Sequence, residues 1–329
     1  MDETKKKNPE EPLRIIEKYI PSPGPGQALV RIFLRPVNPS DVATASGVYP
    51  GFKPDSYPAT PGLEGVGKVV ELGPSSSGQI QKGTRVVGAP WRIQGNEGTW
   101  QQYVVVDEAD LIAVPESVAD ESASQFFVNP VTAYGFLETL KVPPGEYLLQ
   151  GAAGSTLGRQ LIALAKERGV KTINVVRRKE QVQELLDMGA DEVIATSDED
   201  LVARVKEITN RKLAYAAVDP IAGEFTKAVA AAVRPGGTVY VYGALGGTTI
   251  TVGLGDILFR GVHVTGFWLG RWLTELGDKK AEVLNSCMDL MARGVIVPTV
   301  GRKFPLEQAN EAMEESQRQA RGGKVFLEG

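Results

Sequence analysis

The stretch EYLLQGAAGSTLGRQLIALAKERG (146–169) constrains the fold more than any other part of the chain. EYLLQ (146–150) is a short apolar run of strand length. After it, Leu157, Leu161, Ile162 and Leu164 recur at helical spacing until Gly169 supplies a stop. The turn between them carries glycines at 151, 154 and 158. Strand, glycine turn and helix in that order predict a βαβ unit and a parallel sheet. The turn also carries chemistry. Glycines let the backbone approach a pyrophosphate, and the helix start turns its N–H groups and positive dipole end toward that anion. Gly154 and Gly158 are separated by three residues, so the turn departs from a strict G-x-G-x-x-G. Gly154, Ser155, Thr156, Leu157 and Gly158 are the candidate pyrophosphate contacts.

The next strand, KTINVV (171–176), ends in Arg177 and Arg178, with Arg178 twenty residues beyond Gly158. An acid near that point suits the ribose 2′-hydroxyl of NADH, whereas arginine suits a 2′-phosphate. The two arginines therefore favour NADPH, against the plainer reading that they solvate a helix start.

Around this unit the chain changes texture twice. Before it, ALVRIFLRPV (28–37), GVGKVVELG (65–73), GTRVVGAP (83–90) and two segments within TWQQYVVVDEADLIAVP (99–115) read as short strands among dense Pro and Gly. That pattern predicts a compact, barrel-like β-rich domain. From about residue 120 strands and helices alternate, with DEVIA (191–195), LAYAAVD (213–219), GTVYVYG (237–243) and GVHVTGFWLG (261–270) as further strand segments. EQVQELLDMGA (180–190) reads as a helix, and WLTELGDKKAEVLNSCMDLMARG (272–294) as one long amphipathic helix. A final strand-like KVFL is expected to return to the first domain. The expected division is 1–123 with 297–329, and 124–296. Two domains also suit a length of 329 residues.

Composition narrows the chemistry. One cysteine, Cys287, and one histidine, His263, cannot supply the Cys/His-rich set that zinc prefers, and a lone cysteine makes no internal disulfide. A metal-free mechanism is expected. The net charge of −4 argues against a nucleic-acid partner. No long apolar run suggests a membrane span. MDETKKKNPEEP (1–12) lacks the apolar core of a secretory signal and reads as a solvated tail. The expected compartment is the cytoplasm, or the mitochondrial matrix if a presequence has been removed.

From about residue 13 onward the chain resembles the medium-chain dehydrogenase/reductase superfamily. The resemblance is carried by PVNPSD (36–41), TPGLEGVGKVVELG (60–73), GTWQQY (98–103), VNPVTAY (128–134), GAAGSTLG (151–158), MGADEVI (188–194), RPGGTVYVYG (234–243) and GGKVFL (322–327), in that order. It implies a GroES-like β-rich domain interrupted by a Rossmann domain, an α/β architecture that agrees with the pattern above. It also implies the zinc-free branch, because Leu63 stands where a metal-binding histidine is usual and no cysteine occurs near NPSD.

Two zinc-free groups are similar: the mitochondrial-type 2-enoyl thioester reductases and the zeta-crystallin-like quinone reductases. The longer phosphate turn, TINVVR (172–177) and GFWLGRW (266–272) resemble the former. Gly151, Gly154 and Thr156 depart from its Asn-Ala-x-Asn-Ser-Gly-Val-Gly loop.

Enoyl reduction builds negative charge on a thioester carbonyl oxygen, which needs a preorganised donor when no metal polarises it. The resemblance puts Tyr49, in TASGVYPGFKP, in that role. A phenol stays protonated at neutral pH and can donate. The alternative is that Tyr49 only packs over the pocket. The resemblance further implies Phe267 and Trp268 at the cofactor and substrate pocket, Asn129 and Thr132 near the nicotinamide, Tyr242 and Gly243 at a strand's C-terminal end, and Lys324 near the cofactor or a thioester phosphate. Helix capping by Asn129 and Thr132, core packing by Trp268 and a solvated Lys324 are the plainer readings. His263, Cys287, Tyr57 and Trp100 are expected to be structural. The implied activity is NADPH-dependent reduction of a trans-2-enoyl thioester on CoA or acyl carrier protein. The alternative is reduction of a quinone, enone or alkenal. A third reading, an NADPH-binding protein with a structural or nucleic-acid-binding role, is weighed against by the acidic balance and by Tyr49. The segment GLGDILF with GVHVTGFW resembles a pairing edge, so a homodimer is expected.

Overall fold

The computed structural model describes residues 13–318 and 322–329, so the solvated tail expected at 1–12 lies outside the described residues. The chain divides into one unit of residues 1–128 with 297–329 and another of residues 129–296. Residues 124–128, expected in the second unit, pack with the first.

The first unit begins with strands β1 (Gln27–Pro36), β2 (Val66–Leu72), β3 (Arg85–Gly88), β4 (Tyr103–Asp107) and β5 (Leu111–Ala113). The second carries β6 (Tyr147–Gln150), β7 (Lys171–Val176), β8 (Glu192–Ala195), β9 (Ala214–Asp219), β10 (Val233–Val241) and β11 (His263–Gly266). β12 (Val300–Pro305) and β13 (Lys324–Glu328) then return to the first unit.

Among the described residues the first unit forms a seven-stranded sheet, with the path β12-β13-β1-β2-β3-β5 and β4 also on β1. β1 is long enough to change partners along one edge. Gln27–Arg31 pair with β4 and Leu34–Pro36 pair with β13, while β2 runs along the other edge. The register with β2 shifts at Leu29/Val30 and Ile32/Leu34, irregularities of the kind that bend a strand. Val30, Ile32, Val69, Val86 and Val104 form one core, and Trp100, Phe304, Met313 and Leu327 belong to a second beneath the returning segment.

The second unit is a six-stranded parallel sheet in the order β11-β10-β9-β6-β7-β8. Chain order reverses beside β6, the doubly wound Rossmann arrangement whose switch point receives dinucleotides outside the strand ends. β7 is buried from Thr172 to Val176, as a strand covered on both faces must be.

One local expectation fails, and two elements were not anticipated. The helix expected over 272–294 is two helices, Leu269–Glu275 and Lys280–Ala292, with a short 3₁₀ turn between them. Gly277 has φ +53, outside the helical region, so the chain breaks there. A helix over Pro39–Ala45 and strand β12 carry too little periodicity to be read in the sequence.

Candidate active site

The glycine turn of the second unit has the expected form. Ser155 is extended and caps the helix Thr156–Glu167, its hydroxyl accepting from Gly158 N at 3.1 Å. A Cβ on Gly158 would stand 2.5 Å from Ala153 O, and one on Gly151 would stand 2.8 Å from the Phe225 ring. The turn is packed so closely that side chains cannot replace these hydrogens. Gln150, at the end of β6, donates to Gly158 O at 3.0 Å and to Asn174 Oδ1 at 2.6 Å. The helix start is thereby pinned to the sheet. The closely packed glycines and the N-terminus of a twelve-residue helix fit a pyrophosphate.

Arg177 and Arg178 follow β7, the first exposed and the second half-buried. Their backbone is held from the neighbouring loop, where Thr196 N donates to Val176 O at 3.0 Å and Ser197 N to Arg177 O at 3.1 Å. That loop continues into Asp198, Glu199 and Asp200, acids that could oppose a phosphate. Two of them have other partners. The Glu199 carboxylate takes Ala195 N at 2.9 Å and Arg204 at 2.8 Å, and Asp200 caps the helix Leu201–Ile208 through Ala203 N at 2.7 Å.

Tyr242 and Gly243 leave the C-terminal end of β10, with Tyr242 N donating to Asp219 O at 2.9 Å. A Cβ on Gly243 would lie 2.6 Å from Pro220 O, so that loop also admits only glycine. The Tyr242 ring lies 4.8 Å from Phe136, and burial, reinforced by Asp219, pushes its phenol well above the usual range. Asn129 and Thr132 occupy the first turn of the helix Asn129–Leu140. The Phe267 ring belongs to an aromatic core, 4.8 Å from Phe136, 5.5 Å from Tyr240 and 5.7 Å from Trp272. Trp268 is 53% exposed and precedes the helix Leu269–Glu275. Core packing is therefore the role of Phe267, not of Trp268.

In the first unit Tyr49 is half-buried in the loop after the helix Pro39–Ala45, its N–H donating to Ala43 O at 3.2 Å. Beside the same helix lies a buried cluster that sequence reasoning missed. Asn38 N donates to Asp41 Oδ2 at 2.8 Å, and Leu63 N to Asp41 Oδ1 at 3.0 Å. Asn38 Nδ2 donates to Glu64 Oε1 at 2.8 Å, and Val128 N to Glu64 Oε2 at 2.8 Å. The Lys324 ammonium donates to Asn38 Oδ1. Burial, with each carboxylate near the other, raises the Asp41 carboxyl, and burial raises that of Glu64 against the pull of Lys324.

Lys324 is only 2% exposed. Neither the solvated lysine nor one reaching for a cofactor phosphate describes it: it serves the interior of its own unit. The signal was available in PVNPSD and TPGLEG, where charged residues stand among small and apolar neighbours.

These residues do not fit a zinc ion. Leu63 offers no ligand, and the adjacent carboxylates already accept from backbone N–H groups and Asn38. Among the described residues no group of three or more His, Cys, Asp or Glu could hold a metal. No helix among them is long and apolar enough to cross a membrane.

Comparison with known proteins agrees with both units. Residues 24–116 match the alcohol dehydrogenase GroES-like domain, and residues 156–292 match the zinc-binding dehydrogenase family. The mitochondrial enoyl-[acyl-carrier-protein] reductase of Xenopus tropicalis is 33% identical over 317 residues, covering 93% of this chain and 88% of that protein. Among solved structures, a putative NADPH:quinone reductase from Bacillus thuringiensis superposes with a TM-score of 0.87 at 32% identity, covering 95% and 93% of the two chains. Escherichia coli quinone oxidoreductase complexed with NADPH superposes with a TM-score of 0.84 at 28% identity, covering 95% of each. The chain belongs to the medium-chain dehydrogenase/reductase superfamily, with a GroES-like unit and a Rossmann unit. It is an oxidoreductase of that superfamily.

Proposed function

We propose that this protein reduces the C=C bond of a trans-2-enoyl thioester. The observation that carries the reading is the similarity, over nearly the whole chain, to proteins named enoyl-[acyl-carrier-protein] reductase. Its hydride donor is NADPH. Residues 154–158 would hold the pyrophosphate, and Arg177 with Arg178 would hold the 2′-phosphate. Asn129, Thr132, Tyr242 and Gly243 would line the nicotinamide.

NADPH, when bound, supplies a hydride to the β-carbon of the substrate. The chain's own task is then to meet the charge that develops on the carbonyl oxygen and to deliver one proton to the α-carbon. The Tyr49 hydroxyl is assigned the first task, as a hydrogen-bond donor, and is the proton donor for the second. The exposed Trp268 indole is assigned a substrate contact. The substrate is a free acyl thioester or one carried on acyl carrier protein. The enoyl-[acyl-carrier-protein] reductases it resembles are named as mitochondrial, which favours the mitochondrial matrix over the cytoplasm.

A second copy is the proposed partner of the β11 edge. β11 ends its sheet, and the neighbouring Leu254, Leu258 and Phe259 are exposed. An uncovered apolar cluster beside an edge strand is a typical interface between copies. Sedimentation should give a dimer that Phe259→Asp separates.

The solved structures named quinone reductases support a second reading, reduction of a quinone or alkenal. NADPH consumption with crotonyl-CoA, an alkenal and a benzoquinone, in wild type and Tyr49→Phe, separates the two. Selective thioester turnover that falls about a hundredfold in the variant is expected. Turnover of quinone or alkenal alone, unchanged by Tyr49→Phe, would replace the first reading with the second.

A further inference from the structure

The buried cluster of the first unit reaches one backbone atom of special position. Val128 is the last residue before the chain passes into the second unit, and the next residues are Asn129, Pro130, Val131 and Thr132. The Val128 N–H is held by Glu64 Oε2, and Glu64 is 1% exposed. The other oxygen, Oε1, is held by Asn38, whose own carbonyl oxygen is taken by Lys324. Asn38 therefore cannot turn its amide around without losing the lysine. The Phe127 N–H also bears on Glu64, so its two oxygens serve Asn38 Nδ2 and two successive main-chain N–H groups. We propose that Glu64 is a positioning residue, whose carboxylate fixes the main chain one residue ahead of Asn129 and so sets where Asn129 and Thr132 stand. The proposal rests on the reading of those two residues as nicotinamide neighbours.

The chemistry of the cluster supplies its own control. Glu64→Gln brings an NH₂ group to a place whose neighbours are all donors, so at least one hydrogen bond must be lost. Adding Asn38→Asp restores the count. The carboxylate introduced at position 38 would accept from Lys324 and from the amide introduced at position 64, whose oxygen then returns to Val128 N. The net charge of the double variant equals that of the wild type.

The test uses the full chain, with and without NADPH. Amide hydrogen exchange of peptides spanning 126–131 should be about tenfold faster in Glu64→Gln, as loss of one charge-assisted hydrogen bond implies, and about as slow as wild type in Asn38→Asp/Glu64→Gln. NADPH affinity, set by the glycine turn and the arginines, should change by less than about threefold in either variant. Hydride transfer in single turnover with crotonyl-CoA should fall about tenfold in the single variant, with a larger isotope effect from 4-deuterated NADPH, and recover in the double. Should Glu64→Gln fail to fold, Glu64→Asp, with its charge kept and its reach shortened, takes its place with the same expected increase in exchange. Unchanged exchange at 126–131, or a double variant no better than the single, overturns the proposal. A wild type inactive on every acceptor would remove the reductase reading, and the exchange rates at 126–131 would still decide whether the tether exists.

Discussion

Each unit buries a polar network, and the two are built differently. In the second unit the one around Asn174 is built from amides and hydroxyls, with the Asp191 carboxylate at its edge taking Thr172 N at 2.8 Å. Gln150 Nε2 meets Asn174 Oδ1, while Asn174 Nδ2 donates to Thr172 Oγ1 at 2.8 Å and to Glu192 O at 3.0 Å. In the first unit it carries Asp41, Glu64 and Lys324, three ionisable groups joined around Asn38. Amides and hydroxyls specify strand register at the same strength at every working pH. Buried ions hold more firmly when complete, but cost more when one partner is lost and respond to protons. The second unit leaves Arg177 exposed and Arg178 half-buried, the two proposed to meet a 2′-phosphate, whereas the first draws Lys324 inside.

The largest test of this contrast is Lys324→Met. It strips the cation from two buried carboxylates, and about 3–5 kcal/mol of stability should be lost. Hydrogen exchange should show the loss in peptides of the first unit, with those of β6, β7 and β9 nearly unchanged. Equal loss in both would break the comparison. Removing both arginines, Arg177→Ala with Arg178→Ala, should lower the preference for NADPH over NADH between about tenfold and a hundredfold, with no change in melting. An unchanged ratio of the two affinities would refute their assignment.

Asn174→Leu should cost about 1–3 kcal/mol, because Gln150 Nε2 and Glu192 O each lose a buried partner. Its effect, read by denaturant unfolding, should be the same at pH 5.5 and pH 8. The smallest expected effect, taken per pH unit, is that of pH itself on the first unit. Burial holds Asp41 and Glu64 above their ordinary carboxylate values, Asp41 up to about 7. The folded state therefore binds protons more tightly than the unfolded chain. The contribution of Asp41 is full below about pH 4 and is lost as the pH rises through about 7, at a slope of at most about 1.4 kcal/mol per pH unit, and that of Glu64 is lost in the same direction. Exchange in the first unit should quicken over that range beyond the intrinsic rate. The strands held by the Gln150–Asn174 pair, which carries no ionisable group, should not follow.

Much of the fold was legible in the order of residues. KTINVV is β7 to the residue, and β1, β6 and β9 fall within a residue or two of their sequence readings. Short apolar runs between glycines and prolines leave few other states. Helix length was harder. Apolar spacing runs on through 272–294, and a single glycine with positive φ divides it. The glycine turn was read from its glycines within a strand–turn–helix unit, and close packing supplies the reason for Gly151 and Gly158. Lys324 shows the other limit. Its place beside GGKV suggested an outward role, yet its partner lies 286 residues earlier in the chain.

The sequence by itself determined the order of strands and helices, the glycine turn, the arginines after β7 and the lack of a zinc ligand at Leu63. Each is a matter of residues a few positions apart, where periodicity, turn chemistry and side-chain type act locally. Only the tertiary structure decided that Asn38, Asp41, Glu64 and Lys324 share one buried site, that Val128 N–H ends there, and that Phe267 faces a core while Trp268 faces solvent. Those outcomes depend on desolvation, which no residue undergoes until distant segments close over it.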